Sequence, residues 1–285
     1  MPSPSAPVQS LDVCTRREAV GRLAGLLAAG LWPGVLRADA AVGRAPAGDI
    51  VFAAPNDFHH AEPACDPWFE ALFRQIGAHA GLDLCLGVGD LAHRGQRASL
   101  EAIGRLARLA RVPFYPVAGN HDCDVSGDTT LFTEVFPGRL NYSFVLRGWQ
   151  FVAIDSTAGT AWKDTRVTPA TLAWLDTSLA ALTPGQPTIL FTHFPFVAPA
   201  KYCLLNAEEV LARLLSFNLR LVLSGHYHAR TEATRGGVDL VTNVCCSRVD
   251  HNHDGSTVKG YWLCRGSAAG QLVREFVPFA FPSSG

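Results

Sequence analysis

The sequence has no surplus of either charge. Its 24 lysines and arginines are balanced by 25 aspartates and glutamates, so the formal net charge is −1. Proteins that bind nucleic acid over a broad surface usually carry a basic excess, and this balance therefore disfavours that class. A local basic groove would still be compatible with the composition.

The sequence also has no internal repeat, no low-complexity block after residue 48 and no apolar run long enough to span a membrane. With 48% hydrophobic and 17% charged residues, it is typical of a globular chain and not of a disordered or fibrous one. The part beyond residue 48 is long enough for one large α/β domain with its own core.

The first forty residues differ in composition from the rest. The pair Arg16-Arg17 precedes a modestly apolar run over residues 19–36, and small residues follow at 38–40. These are the parts of a signal peptide, and paired arginines suggest twin-arginine export. We predict a signal peptide over residues 1–40, a linker over residues 41–48, and delivery by the export machinery to the periplasm or the exterior. The alternative is an amphipathic cytoplasmic N-terminus, because a further arginine interrupts the apolar run.

Apolar periodicity predicts alternating strands and helices in the first part of the domain. Strands are expected at residues 49–54, 82–88 and 113–117, with helices at residues 66–80 and 98–111 between them. This βαβ order is typical of a parallel sheet.

Later segments add further strands. The dipeptide Arg147-Gly148 separates strand-like residues 142–146 and 149–155, which indicates a hairpin. The remaining predicted elements are helices at residues 169–182 and 207–217 and strands at residues 188–192, 220–224, 238–244, 261–265 and 271–277. We predict one α/β domain over residues 49–280, with βαβ units and antiparallel additions.

Five polar clusters each follow an apolar, strand-like run. They are Asp57-Phe58-His59, Gly89-Asp90, Gly119-Asn120-His121-Asp122, Thr192-His193 and Gly225-His226-Tyr227-His228. Because sites in parallel α/β folds form at the carboxyl ends of strands, we expect these clusters to meet. Each cluster alone is typical of a turn, but the ordered set contains half of the ten histidines and predicts a functional site.

The residue types in these clusters suit metal chemistry. Aspartate, asparagine and histidine supply oxygen and imidazole donors to divalent metals. The spacings Asp-x-His and His-x-His place both donors on one side of an extended backbone. The set exceeds what one ion takes, which favours two ions of the kind that clamp a phosphoryl group. Manganese, iron, zinc and cobalt all suit such mixed donors.

The ordered motifs resemble the calcineurin-like metallophosphoesterase superfamily over residues 49–230, with a pattern most similar to its cyclic-nucleotide phosphodiesterase branch. The resemblance implies a four-layer α/β/β/α sandwich with a dinuclear centre. It implies one ion on Asp57, His59, Asp90 and His228. It implies a second ion on Asp90, Asn120, His193 and His226. In that arrangement a metal-bridging hydroxide attacks phosphorus and His121 acts as the general acid.

One position departs from the superfamily's better-known branches. His93 stands three residues after Asp90, where the serine/threonine phosphatases carry an aspartate and the purple acid phosphatases an iron-binding tyrosine. His93 therefore argues against a tyrosine-ligated iron centre, and some nucleases of the superfamily share it. We expect it either to support His121 or to face solvent. Arg94 resembles the phosphate-binding arginine of the phosphatases, with a surface arginine as the alternative.

Three weaker features leave alternatives open. The polar segment at residues 250–255 has metal-ligand spacing, but we expect a solvated hairpin loop. The segment Phe194-Pro195-Phe196 and Tyr227 either form an apolar wall for a base or aryl group, or pack in the interior. Cys65, Cys123 and Cys203 each follow a candidate motif, so two of them could form a disulfide in an exported protein.

The sequence therefore predicts a metal-dependent hydrolase of a small phosphate mono- or diester. A cyclic nucleotide is one candidate substrate, and no nucleic-acid partner is expected. A nuclease of the same superfamily is the alternative enzyme, which the near-neutral charge disfavours. A non-catalytic metal-binding scaffold is the alternative of a different class, which the complete ligand set disfavours.

Overall fold

The computed structural model describes residues 48–281, and the statements below concern this part of the chain. The predicted signal peptide and nearly all of the predicted linker lie outside the described residues, so those boundaries stay predictions. Within residues 48–281, no helix combines the length and apolar character that crossing a membrane requires.

The described chain forms eleven strands and five α-helices. The strands are β1 (Ile50–Ala54), β2 (Leu84–Val88), β3 (Phe114–Val117), β4 (Tyr142–Leu146), β5 (Trp149–Ala153), β6 (Pro187–Phe191), β7 (Asn218–Leu223), β8 (Glu232–Arg235), β9 (Val238–Val241), β10 (Lys259–Gly266) and β11 (Leu272–Phe279). The helices are α1 (Asp66–Gly77), α2 (Arg97–Leu106), α3 (Thr130–Val135), α4 (Pro169–Ser178) and α5 (Ala207–Leu214).

These strands make two sheets, each of which contains both parallel and antiparallel pairs. The first has the order β11-β10-β1-β2-β3, in which β1, β2 and β3 are parallel. The second has the order β4-β5-β6-β7-β9-β8, in which the four inner strands are parallel. Parallel strands are usually covered on both faces, which explains their continuous apolar sequences.

The core divides into three clusters that define four layers. Between the sheets, Phe52 of β1 meets Phe151 of β5 edge to face, with ring centroids 5.5 Å apart. Helices α1 and α2 cover the outer face of the first sheet through residues such as Phe73 and Ile103. Helices α4 and α5 cover the second sheet through residues such as Leu175. The predicted α/β/β/α sandwich is confirmed.

The predicted elements appear in the structure with small shifts at their ends. For example, α4 begins at Pro169, as predicted, because the Thr168 side chain accepts a hydrogen bond from the Thr171 amide at 3.1 Å. Two elements were not predicted, α3 and β8. Both are short, and β8 is mostly exposed, so neither carries the apolar periodicity on which the predictions rest.

The cysteines of the described chain do not form disulfides. All seven are free thiols, including Cys65, Cys123 and Cys203, so the structure contains no bridge among them. Cys85 and Cys264 are buried in the core.

Close packing between the sheets predicts that Gly266 cannot be enlarged. A Cβ atom there would overlap the indole ring of Trp149 and lie 2.8 Å from Cγ2 of Ile50. We expect Gly266→Ala to lower the free energy of unfolding by about 1–3 kcal/mol, measured by urea denaturation. Gly48→Ala is the matched control, because its Cβ would make only an ordinary 3.6 Å contact with Arg147. Equal stability of the two variants would contradict the packing.

Candidate metal centre

The five predicted clusters meet in the structure. They follow β1, β2, β3, β6 and β7, so they come from both sheets and converge at the carboxyl ends of these strands. All seven predicted metal ligands lie in this region, and all are buried: Asp57, His59, Asp90, Asn120, His193, His226 and His228.

One group of donors surrounds the space beside Asp57. The candidate ligand atoms of Asp57, His59, Asp90 and His228 lie within 4.8 Å of one another. Nε2 of His228 is 3.2 Å from Oδ1 of Asp57 and 3.2 Å from Nε2 of His59. Nε2 of His59 is 3.5 Å from Oδ2 of Asp90. These are the four residues expected to hold one ion.

A second group shares Asp90 with the first. Candidate ligand atoms of Asp90, His193 and His226 also lie within 4.8 Å of one another. Nε2 of His193 is 3.2 Å from Oδ2 of Asp90 and 3.2 Å from Oδ1 of Asn120. The carboxylate of Asp90 thus belongs to both groups, which is the arrangement expected of a bridging ligand.

Backbone carbonyls orient the histidine rings. The carbonyl of His251 lies 3.0 Å from Nδ1 of His228, that of Trp162 lies 2.7 Å from Nε2 of His226, and that of Val88 lies 3.2 Å from Nδ1 of His193. A neutral ring donates its proton to the carbonyl, which directs the lone pair of its other nitrogen into the centre. Lone pairs that face carboxylate and amide oxygens at such distances need a cation or a proton between them. The residues present therefore fit a metal site.

The backbone at the centre is held in an unusual conformation. Eight non-glycine residues of the described chain have a positive φ. Five of them are predicted ligands, namely Asp57, His59, Asp90, His226 and His228. Left-handed backbone costs conformational energy and is concentrated at functional sites, although aspartate and histidine tolerate it better than most residues. At Gly119, a Cβ atom would overlap the carboxylate of Asp90, so only glycine fits there.

The candidate acid His121 lies beside the ligands without replacing any of them. Its backbone amide donates to Oδ1 of Asp90 at 2.8 Å, and its Nδ1 lies 2.7 Å from the backbone carbonyl of His93. The ring of His93 stacks on that of His121, with centroids 5.7 Å apart. His93 therefore lies beside His121, in agreement with the expectation that it supports this residue. The polar contact, however, comes from the backbone carbonyl of His93 and not from its ring.

Asp250 is a site residue that the sequence interpretation missed. We expected residues 250–255 to form a solvated loop, yet Oδ2 of Asp250 lies 3.5 Å from Nδ1 of His59 and 3.8 Å from Nδ1 of His93. The carbonyl of His251 orients His228, as described above. The loop is solvated as expected at residues 251 and 253–255, but tertiary packing brings Asp250 onto the centre. Its Asp-His spacing was the available signal.

The remaining candidates do not line the cleft. Arg94 is exposed and does not line the cleft at the centre. Phe194 and Phe196 are buried in the core beneath the second sheet's helices, which favours the packing alternative for them. Tyr227 is partly buried and contacts Tyr202, with ring centroids 5.0 Å apart.

The donors open into a cleft of about 370 Å³. Its lining consists of predicted ligands, three polar residues beside them, and the rings of Trp162, Tyr202 and His253. The lining residues are His59, Asp90, His93, His121, Trp162, Tyr202, His226, His228, Asp250 and His253. A cleft of this size suits a small molecule.

Comparison with known proteins decides the family. A model of the calcineurin-like phosphoesterase family matches residues 50–230, which hold all seven predicted ligands and His121. The chain belongs to this family. The family predicted from the motifs is therefore confirmed.

Individual proteins are similar to this chain over part of its length. A 3′,5′-cyclic-nucleotide phosphodiesterase from Nostoc is 31% identical over 163 residues, covering 55% of this chain and 60% of the relative, which is less than two thirds of that protein's length. A probable cyclic nucleotide phosphodiesterase from Psychrobacter arcticus is 28% identical, covering 66% of this chain and 72% of the relative. A solved dimetal phosphatase from Danio rerio has the same fold, with a TM-score of 0.62 at 13% identity over 80% of this chain and 95% of that structure.

The pKa shifts of the buried donors agree with their geometry. Burial opposes the charged carboxylates, yet His228 holds the pKa of Asp57 below its usual range and His193 does the same for Asp90. Burial also opposes a charged ring at His193, but Asp90 and Asp57 raise its pKa to about 9. Without metal, protons on the rings therefore offset the buried carboxylate charge.

Because a bound metal would replace protons on the histidine rings, the metal affinity should depend on pH. His193, with a pKa of about 9, keeps a proton at neutral pH in the metal-free centre, and an entering ion must displace it. We expect the affinity for Mn²⁺ to fall as the pH is lowered from about 8 to about 6, with protons released on binding. Calorimetry in buffers of different ionisation enthalpy measures both. An affinity that is independent of pH, without proton release, would contradict the assignment.

The contact of Asp250 with His59 predicts a role in metal affinity. Carboxylates that orient a ligand histidine typically contribute a factor of about 10–100 to metal affinity, so Asp250→Ala should weaken Mn²⁺ binding by that amount. Asp254→Ala is the control, because Asp254 is exposed and bonds only within its own loop, to Ser256. Chelator competition measures both variants. Equal affinities would show that Asp250 does not support the centre.

Proposed function

We propose that this protein hydrolyses a phosphodiester of a small molecule, with a 3′,5′-cyclic nucleotide as the first candidate. The observation that carries the proposal is the buried donor cage with Asp90 in both groups and His121 at its rim. Two relatives bear the name of cyclic nucleotide phosphodiesterases, which supports the choice of substrate class.

Two divalent ions would be held by the residues already described. Asp57, His59 and His228 would hold one, while Asn120, His193 and His226 would hold the other, and Asp90 would contact both. Such ions, when bound, supply a nucleophilic hydroxide at neutral pH and offset negative charge on the phosphoryl oxygens. Their identity among manganese, iron, zinc and cobalt is left open by the mixed donor set.

His121 would deliver the proton that the leaving oxygen needs. Its Nδ1 is engaged by the carbonyl of His93, which leaves Nε2 for the cleft that His121 lines. The bond from its backbone amide to Asp90 fixes the ring next to the bridging carboxylate. A positioned imidazole of this kind serves as a general acid to an alkoxide leaving group.

The alternatives fit less well. A nuclease needs a surface that follows a polyanion, whereas this cleft is small and the chain has no basic excess. A non-catalytic scaffold does not require a complete donor set together with a free imidazole beside it.

We also propose export by the twin-arginine route on the sequence alone, and fractionation of cells with an Arg16→Lys, Arg17→Lys variant tests it.

Removing the proposed acid should separate metal binding from turnover. His121→Ala should keep its metal content and lose about 10²–10⁴-fold in kcat on an ester with a poor leaving group. An activated aryl ester should lose much less, because its leaving group needs no proton. His93→Ala is the matched variant and should lose under about tenfold on the poor leaving group, since its carbonyl holds His121 whatever the side chain. Unchanged turnover of the poor leaving group by His121→Ala would refute the assignment.

A substrate panel distinguishes the proposed function from its alternatives. The metal-loaded protein is assayed with cyclic nucleotides, aryl mono- and diesters, and single-stranded DNA, with each candidate metal in turn. We expect cyclic nucleotides and diesters to turn over faster than monoesters or DNA. Faster cleavage of DNA would favour the nuclease, and bound metal without any turnover would favour the scaffold.

A further inference from the structure

Part of the cleft lining is a row of rings that leads outward from a proposed ligand. The row starts at the ligand His228, whose ring stacks on His253 at 5.0 Å and 21°. His253 in turn stacks on Tyr202 at 5.4 Å and 28°, and Tyr202 lies 6.1 Å from Trp162. We call His253, Tyr202 and Trp162 the aromatic wall. It runs outward from the donor cage.

The wall is accessible at its outer end. The side chain of Trp162 is 48% exposed, although an indole gains more from burial than most side chains. An exposed large ring beside convergent polar groups is typical of a ligand site. Apart from the wall and the proposed ligands, the cleft is lined by His93, His121 and Asp250, so it offers no second apolar face.

Two cations stand over the wall. Nζ of Lys201 is 4.8 Å from the ring centroid of Tyr202, and Nζ of Lys163 is 5.3 Å from that of Trp162. Both lysines are exposed at the rim of the cleft. They make the approach to the wall attractive to an anion, which matches a ligand that carries both a phosphate and a flat ring.

Trp162 also connects the wall to the donor cage. Its carbonyl oxygen lies 2.7 Å from Nε2 of His226, a proposed ligand. The indole therefore belongs to a residue in direct contact with the centre. A flat group joined to the phosphate through one sugar ring would reach the wall while the phosphate occupied the cage.

We propose that the exposed indole of Trp162, at the outer end of the aromatic wall, stacks the base of a nucleoside phosphodiester while Tyr202 packs beside it, so that these two residues distinguish nucleotides from base-free esters. This inference rests on the proposed function and names the part of the substrate that the centre itself does not recognise. Every base presents a π-face, so the wall selects for a base without strong choice among bases.

Paired substrates test the wall directly. KM is measured for adenosine 3′,5′-cyclic monophosphate and for ribose 3′,5′-cyclic phosphate, which lacks the base. The metal-loaded protein should show a KM about tenfold or more lower for the nucleotide, the size of effect expected from one base–aromatic stack. Trp162→Ala and Tyr202→Ala should each bring the two KM values closer together, and Trp162→Phe should keep most of the difference. Phe281→Ala is the control, an exposed aromatic on Trp68 that does not line the cleft.

The outcomes separate this inference from the proposed function. Equal KM values in the unaltered protein, or a difference that persists in both alanine variants, would refute the proposal that the wall binds a base. Neither result would contradict phosphodiester hydrolysis. Absence of turnover on every ester would overturn the function, and the wall would then be judged by calorimetric binding of adenosine 5′-monophosphate against ribose 5-phosphate. Tighter binding of the nucleotide that Trp162→Ala abolishes would support the wall, and equal binding would overturn it.

Discussion

The buried carboxylate of Asp90 is the contact on which the centre depends. It lies 3.5 Å from His59 and 3.2 Å from His193, and it accepts the backbone amide of His121 at 2.8 Å. It therefore joins loops that follow strands of both sheets. A second buried carboxylate, Asp57, lies within the same set of donors. Two such charges stay together in the interior only if positive charge lies between the donors, which protons supply without metal and divalent ions supply better.

The backbone around Asp90 is shaped to bring these donors together. Left-handed residues at the strand ends turn short side chains inward, and Gly119 lets one loop approach the Asp90 carboxylate directly. Such strained backbone conformations persist only where the surrounding structure holds them in place. Here the surroundings are the close-packed cores on both faces of each sheet, so the rigidity of the sandwich is also the rigidity of the donor set.

The cleft combines two sides of different chemistry. His93, His121 and Asp250 form a polar side where protons and ring orientations are controlled. Trp162 and Tyr202 belong to an aromatic part of the lining. A phosphate ester with a flat substituent can satisfy both sides at once, whereas inorganic phosphate engages only the donor cage. This division assigns the chemistry and the choice of substrate to different residues. The effect of a substitution on turnover can therefore be separated from its effect on substrate preference.

The sequence by itself determined the family, the α/β order and the identity of the candidate ligands. It did so because each ligand motif directly follows an apolar strand, and the carboxyl ends of parallel strands share one edge. The tertiary structure alone decided which further residues reach the centre. Asp250, Trp162 and Tyr202 lie outside the strands and α-helices, in segments without apolar periodicity, and each lines the cleft only through long-range packing. The support of His121 by a backbone carbonyl of His93 was equally inaccessible to sequence reasoning, because every residue has a carbonyl and only the fold determines where it points.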